Sequence, residues 1–206
     1  MAFLAPIEWP PTGSDVYVVL DDGSRIEGYF GTYTGLRTAR WTVKDAAKVK
    51  HKLDEARIVE VGIRVEEPPA RLANSMAEAI RNGRDERVEL EWIVFERVPV
   101  TPEASMLLQV VNPGFDGWMK VFPDPFGGDG ASIGLAGITV AGGGATSWLA
   151  WRKGDPAPVR VGKKGYDEAF PTLFCPAMAT PDPLKWASFA DHVAESHRRC
   201  ASDGER

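Results

Sequence analysis

Residues 16–30 read VYVVLDDGSRIEGYF, and no other part of the chain constrains the fold as strongly. Val16, Val18 and Leu20 alternate with Tyr17 and Val19, so an extended segment here has one apolar side. Asp22-Gly23 then reverses the chain and Arg25 to Phe30 returns, the pattern of an antiparallel hairpin with a tight turn. Gly28 and Gly31 predict a sharp bend in the returning strand. Thr38 to Val43 reads as a third strand. Lys44 to Glu55 reads as a helix, with Ala46, Val49 and Leu53 on a narrow apolar stripe, and Arg57 to Val65 alternates again as a strand.

The string VYVVLDDGSRIEGYF, followed by LDEARIVEVGI, resembles the first hairpin and the closing strand of Sm-like and other SH3-like small barrels. The resemblance implies a small β-barrel over this third of the chain. Members that bind RNA typically carry an Asp and an Asn in the loop after the second strand, where this chain has GTYTGLRTAR. What the resemblance implies is therefore a fold rather than RNA binding.

Beyond the barrel, Pro68-Pro69 opens a helix in which Leu72, Met76, Ala79 and Ile80 share a face and which Gly83 ends. The charged run Asn82 to Arg87 is the linker candidate. From Val88 the texture changes to strands, at Val88 to Val98, Met106 to Val111 and Trp118 to Phe122, with breaks at Pro99, Pro102, Asn112-Pro113-Gly114 and Pro123. Ten of the 21 glycines fall between Gly114 and Gly144, which predicts an antiparallel sheet with long glycine-rich loops. A hairpin follows, Ser147 to Lys153 and Val159 to Lys164 around GDPAP. A helix from Pro183 to Arg199 closes the chain, with Asp182 as N-cap and Trp186, Phe189, Ala190 and Val193 as its docking stripe. The fold class is α+β: an N-terminal Sm/SH3-like small β-barrel with a helix over residues 1–83, then a Gly-rich antiparallel sheet with a packed C-terminal helix over 84–206.

Composition narrows the function. With 24 basic and 29 acidic side chains the formal charge is −5, which argues against general binding of nucleic acid through phosphate neutralisation. The charge is uneven: Arg37 to Arg57 holds seven basic and three acidic residues, and Trp151 to Gly165 five and one. The two cysteines, Cys175 and Cys200, are too few for a disulfide scaffold or a four-ligand zinc site, so the cytoplasm is the expected location. The start lacks the basic and apolar regions of a secretory signal. Ala131 to Trp151 has no charge, but its glycines disfavour a spanning helix.

Few residues suggest chemistry. His51 lies in the basic run Lys48 to Lys52, and His192 and His197 point apart on one helix, so no metal site is expected. The stretch from Gly127 to Ile133 matches neither a dinucleotide loop nor a calcium nonapeptide, and no cofactor is expected. Asp116, Asp124 and Asp129 occupy loops beside Phe115, Trp118 and Phe126, where carboxylates and aromatic faces suit a saccharide or cation, and where tight turns also favour Asp. Arg152, Lys153, Arg160, Lys163 and Lys164, beside Trp148 and Trp151, form a basic hairpin suited to a phosphate or an acidic partner, or to protecting a solvated edge. The expected ligand-binding set is Asp116, Trp118, Asp124, Asp129, Arg152, Arg160 and Lys163.

No nucleophile, base and orienting group present themselves together, so the balance leans against an enzyme. The expected function is a non-enzymatic binding or assembly protein, with a protein partner or a homo-oligomer and no membrane. The alternative is a hydrolase acting on a sugar or ester through Asp116, Asp124 or Asp129. Nucleic-acid binding through the basic segments ranks third, and generic nucleic acid is not an expected partner.

Overall fold

The computed structural model describes residues 3, 4, 6, 12–34, 40–64, 91–127, 134–135, 138–139 and 147–200. The expected helix from Pro68 to Gly83 and the linker Asn82 to Arg87 lie outside these residues. Among them the α+β class holds: a large antiparallel sheet, a smaller one and two helices.

Seven strands form the large sheet: β1 (Asp15–Leu20), β2 (Arg25–Thr34), β3 (Arg40–Lys44), β4 (Lys50–Asp54), β5 (Ile58–Arg64), β6 (Trp92–Thr101) and β7 (Ala104–Gln109). Their order is β4-β3-β2-β1-β5-β6-β7. The alternation in β1 sets its register, because Val16, Val18 and Leu20 all face one buried cluster and Val18 lies opposite Ile26, which packs against that cluster. Phe30, Trp41, Val43, Leu53, Ile58, Val61, Ile63, Ile93, Phe95 and Leu107 complete it, so every strand of the sheet contributes to one core. Truncating Trp41, 1% exposed, would cost about 3–5 kcal/mol.

Among the described residues the expected closed barrel is not found: the sheet has β4 and β7 at its two ends. β5 pairs with β1 on one edge and with β6 on the other, so the sheet also joins strands from both sides of the 83/84 division. Gly28 lets the Lys44 carbonyl approach, since a Cβ there would lie 2.3 Å from its oxygen, and the irregularity in β2 falls at Gly31, where the register against β3 shifts between Phe30 and Thr32. Pro99, expected as a break, lies inside β6 opposite Ser105, next to a register shift between Pro99 and Thr101. Bulges accommodate a residue without an N–H.

The helix expected over Lys44 to Glu55 is instead the β3–β4 hairpin. Asp45 makes the difference. Its carbonyl accepts from the Lys48 N–H, its carboxylate accepts from the Val49 N–H at 2.9 Å, and its Oδ2 meets His51 Nε2 at 2.8 Å. Lys48 takes the left-handed conformation (φ 65°) that closes such a turn, at a cost of about 1 kcal/mol relative to glycine. The supposed stripe is not buried as a unit, since Val49 is 53% exposed.

The smaller sheet holds β8 (Met119–Pro123), β11 (Ser147–Arg152) and β12 (Val159–Gly162) in the order β12-β11-β8, and β9 (Gly134–Leu135) pairs with β10 (Ile138–Thr139). The expected hairpin around GDPAP is therefore present, and the end of the uncharged segment is strand rather than helix. One side of this sheet meets the large sheet through Val98, Leu108, Val110, Phe122 and Leu149. Met119, Val121, Ala150 and Val161 instead pack with the helices α1 (Tyr166–Leu173) and α2 (Phe189–Cys200).

The closing helix starts later than expected. Lys185 is extended (φ −114°, ψ 126°), which interrupts any helix running from Pro183, and a 3-10 turn at Trp186–Ser188 leads into α2 at Phe189. Asp182 is therefore not its N-cap. No helix among the described residues is long and apolar enough to cross a membrane.

Candidate functional site

Asp124 follows β8 at the turn towards Phe126, and its carboxylate is fully buried. It accepts from the Ser147 hydroxyl at 2.6 Å and from the Phe126 N–H at 3.0 Å, and it pairs with Arg160 Nε at 2.7 Å. Gly127 closes the turn by donating to the Asp124 carbonyl at 3.2 Å. No side chain fits at Gly127, where a Cβ would lie 1.9 Å from Ser147 Oγ. These contacts hold rigid a turn whose side chain at 126 points outward. Phe126 is 61% exposed, and the Arg160 guanidinium stands 5.9 Å from its ring centre. Arg160 lies on β12, the strand that ends the smaller sheet.

Trp118 and Arg152 meet at the other end of β8. The Trp118 indole N–H donates to the Leu173 carbonyl at 3.2 Å, and Arg152 Nη1 donates to the Thr172 carbonyl. Both satisfy carbonyls that the last turn of α1 leaves unpaired, and the arginine charge suits the negative helix end. Asp155 receives the same guanidinium through both carboxylate oxygens, at 2.7 and 2.9 Å, and raises its pKa further. The visible roles of Trp118 and Arg152 are thus architectural. Lys153, Lys163 and Lys164 are exposed.

Asp116 sits in a half-buried loop shaped by Asn112. The Asn112 amide donates to the Phe115 and Met119 carbonyls at 3.2 and 2.9 Å and accepts from the Val121 N–H at 2.7 Å. The loop is docked on α2 by the Gly117 N–H, which donates to His197 Nδ1 at 3.1 Å. β8 separates Asp116 from Asp124, and its four steps span about 13 Å. Asp129 lies outside the described residues. Of the three aromatics, Phe115 is buried, Trp118 is half-buried, and Phe126 alone is largely exposed.

A second polar pair went unread in the sequence. Tyr166 and His192 meet at 2.6 Å between Oη and Nδ1, within a cluster containing Phe170, Phe174 and Phe189. Burial pushes the tyrosine hydroxyl up and the imidazole down, so both groups favour their neutral forms and the imidazole tautomer sets which of them donates. The signal was available: Tyr166, Phe170 and Leu173 recur at i, i+4 and i+7, but Pro171 within two turns obscured the helix.

The cysteines form one disulfide, Cys175–Cys200, with their Cα atoms 6.0 Å apart. Among the described residues no group of three or more His, Cys, Asp and Glu is disposed to hold a metal. Compared with known proteins, the chain matches no family, no curated protein and no solved structure.

Proposed function

We propose that this chain is a non-enzymatic binding or assembly protein whose recognition rim is the Phe126 turn together with Arg160. The observation that carries this reading is the pairing of an exposed ring with a backbone locked by Asp124 and Gly127. Covering an exposed ring removes apolar surface from water, which favours association. Rings and guanidinium groups are also the side chains that dominate protein interfaces, and a preset geometry lowers the entropy lost on association. Lys163, exposed beyond β12, adds rim charge that speeds encounter. The partner is a polypeptide, either a second copy of this chain or another protein.

The reading is tested with Phe126→Ala and Phe126→Tyr. Quantitative affinity capture from the native cell should retain at least one polypeptide with the wild type and the Tyr variant and lose it with the Ala variant. Identical capture by all three, or turnover of a small substrate that Asp124→Asn abolishes in a folded protein, would overturn it.

A further inference from the structure

The β3–β4 hairpin brings together lysines that the sequence left scattered. Residues 40–54 carry five basic and two acidic side chains. Cross-strand pairing sets Lys44 opposite Lys50 and Thr42 opposite Lys52. Trp41, Val43 and Leu53 take the core face, so Lys44, Lys50 and Lys52 share the outer face, where all three are exposed. Like charges directly opposite one another oppose pairing, so the Lys44–Lys50 pair works against its own hairpin.

Of the two acidic residues of the hairpin, Asp45 lies in the turn and Asp54 ends the outer face of β4 opposite Arg40. Asp45 holds the turn and His51, and Asp54 accepts from the Ala56 N–H at 3.0 Å. Among the described residues Lys44, Lys50 and Lys52 make no ion pair. β4 ends its sheet, so among the described residues no strand pairs with its outer edge.

We infer that β4 receives an extended acidic segment of a partner protein as an additional strand. This site is separate from the Phe126 rim and rests only on the reading of the chain as a binding protein. An edge strand supplies main-chain donors and acceptors to an incoming segment, and its side chains select the sequence. Lys50 and Lys52 are two residues apart on β4, about 7 Å, which is also the spacing of alternate side chains in an extended peptide. A strand with carboxylates at every second position meets both lysines, and Lys44 lies behind them in the next strand. A polypeptide fits better than a nucleic acid, because the open edge of β4 offers a ladder of main-chain donors and acceptors to a peptide backbone.

The test is binding of a fluorescent peptide alternating Glu and Thr to the full chain at low salt. Its controls are the Gln analogue, a peptide of the same composition with the Glu residues in one block, a single-stranded RNA and anionic vesicles. The alternating peptide should bind, and Lys50→Glu with Lys52→Glu should weaken it about tenfold. Lys50→Gln with Lys52→Gln serves if the reversed variant does not fold, and should also weaken binding. Phe126→Ala should bind the peptide like the wild type, which separates this site from the rim. Equal binding of the Gln analogue or of the block peptide would overturn the inference. So would RNA or vesicles binding more tightly through the same lysines, or no binding of the alternating peptide.

Discussion

Ser147 donates its hydroxyl to Asp124 Oδ2 at 2.6 Å, a bond between the first residue of β11 and the residue just after β8. With the Arg160 pair it compensates a carboxylate that has no water contact, and an uncompensated buried charge is costly.

Asp124→Ala should therefore destabilise the fold by about 2–3 kcal/mol, and Ser147→Ala by about 1–2. Arg160→Ala should cost about as much as Asp124→Ala, because it leaves the buried carboxylate without its counter-charge. Gly127→Ala should cost about 2 kcal/mol, since its new methyl group occupies the position of the serine hydroxyl. Placed on Ser147→Ala, the same change should cost less than the sum of the two, because the nearest clash has gone and only the contacts with Asp124 Oδ2 and Cβ at 2.8 and 3.0 Å remain. Urea titration of the four single variants and the double variant measures this order.

The Tyr166–His192 pair makes the joint between α1 and α2 sensitive to acid. Burial lowers the imidazole pKa below its ordinary 6.5, so the unfolded chain takes up this proton more readily than the folded one. The contribution is complete above pH 6.5 and is lost as the pH falls below that value towards the folded-state pKa. Thermal midpoints should drop more steeply over this window in the wild type than in His192→Gln, which has no such proton to bind. Parallel profiles would show that the imidazole does not couple to folding.

Cys175–Cys200 ties the last residue of α2 to the segment just after α1, and both cysteines are buried. Closing a loop of this length contributes about 3 kcal/mol. Reductant, or Cys175→Ser with Cys200→Ser, should lower the thermal midpoint by roughly 5–10 °C. Alkylation of protein from the native cell under non-reducing conditions should label neither cysteine. Disulfides persist in oxidising compartments, so that thiol count also bears directly on the cytoplasmic location expected from cysteine number.

The first hairpin was legible because Val16, Val18 and Leu20 carry a strict period of two and Asp22-Gly23 supplies the turn. The second hairpin was not. Its turn uses a left-handed lysine and an Asp45 side chain in place of glycine, and a three-residue apolar stripe satisfied a helical period by coincidence. That misreading hid the basic face, because Lys50 and Lys52 share a side in a strand but diverge by about 160° on a helix. At the rim, composition singled out Asp124 and Arg160 but not their mutual pairing, which depends on β11 bringing β8 and β12 together. Trp118 and Arg152 looked like ligand residues because solvent-seeking groups also cap helix ends, and α1 had gone unread.

The most direct test of a recognition rim at Phe126 is site-specific photocrosslinking in the native cell. A photoreactive aromatic residue at position 126 is compared with the same residue at position 153, an exposed site at the far end of β11 from Ser147 and Asp124. The account predicts a discrete crosslink from position 126 to a polypeptide, whether another protein or a second copy, and none from position 153. Equal crosslinking from both positions, or none from position 126 in a folded protein, would contradict it.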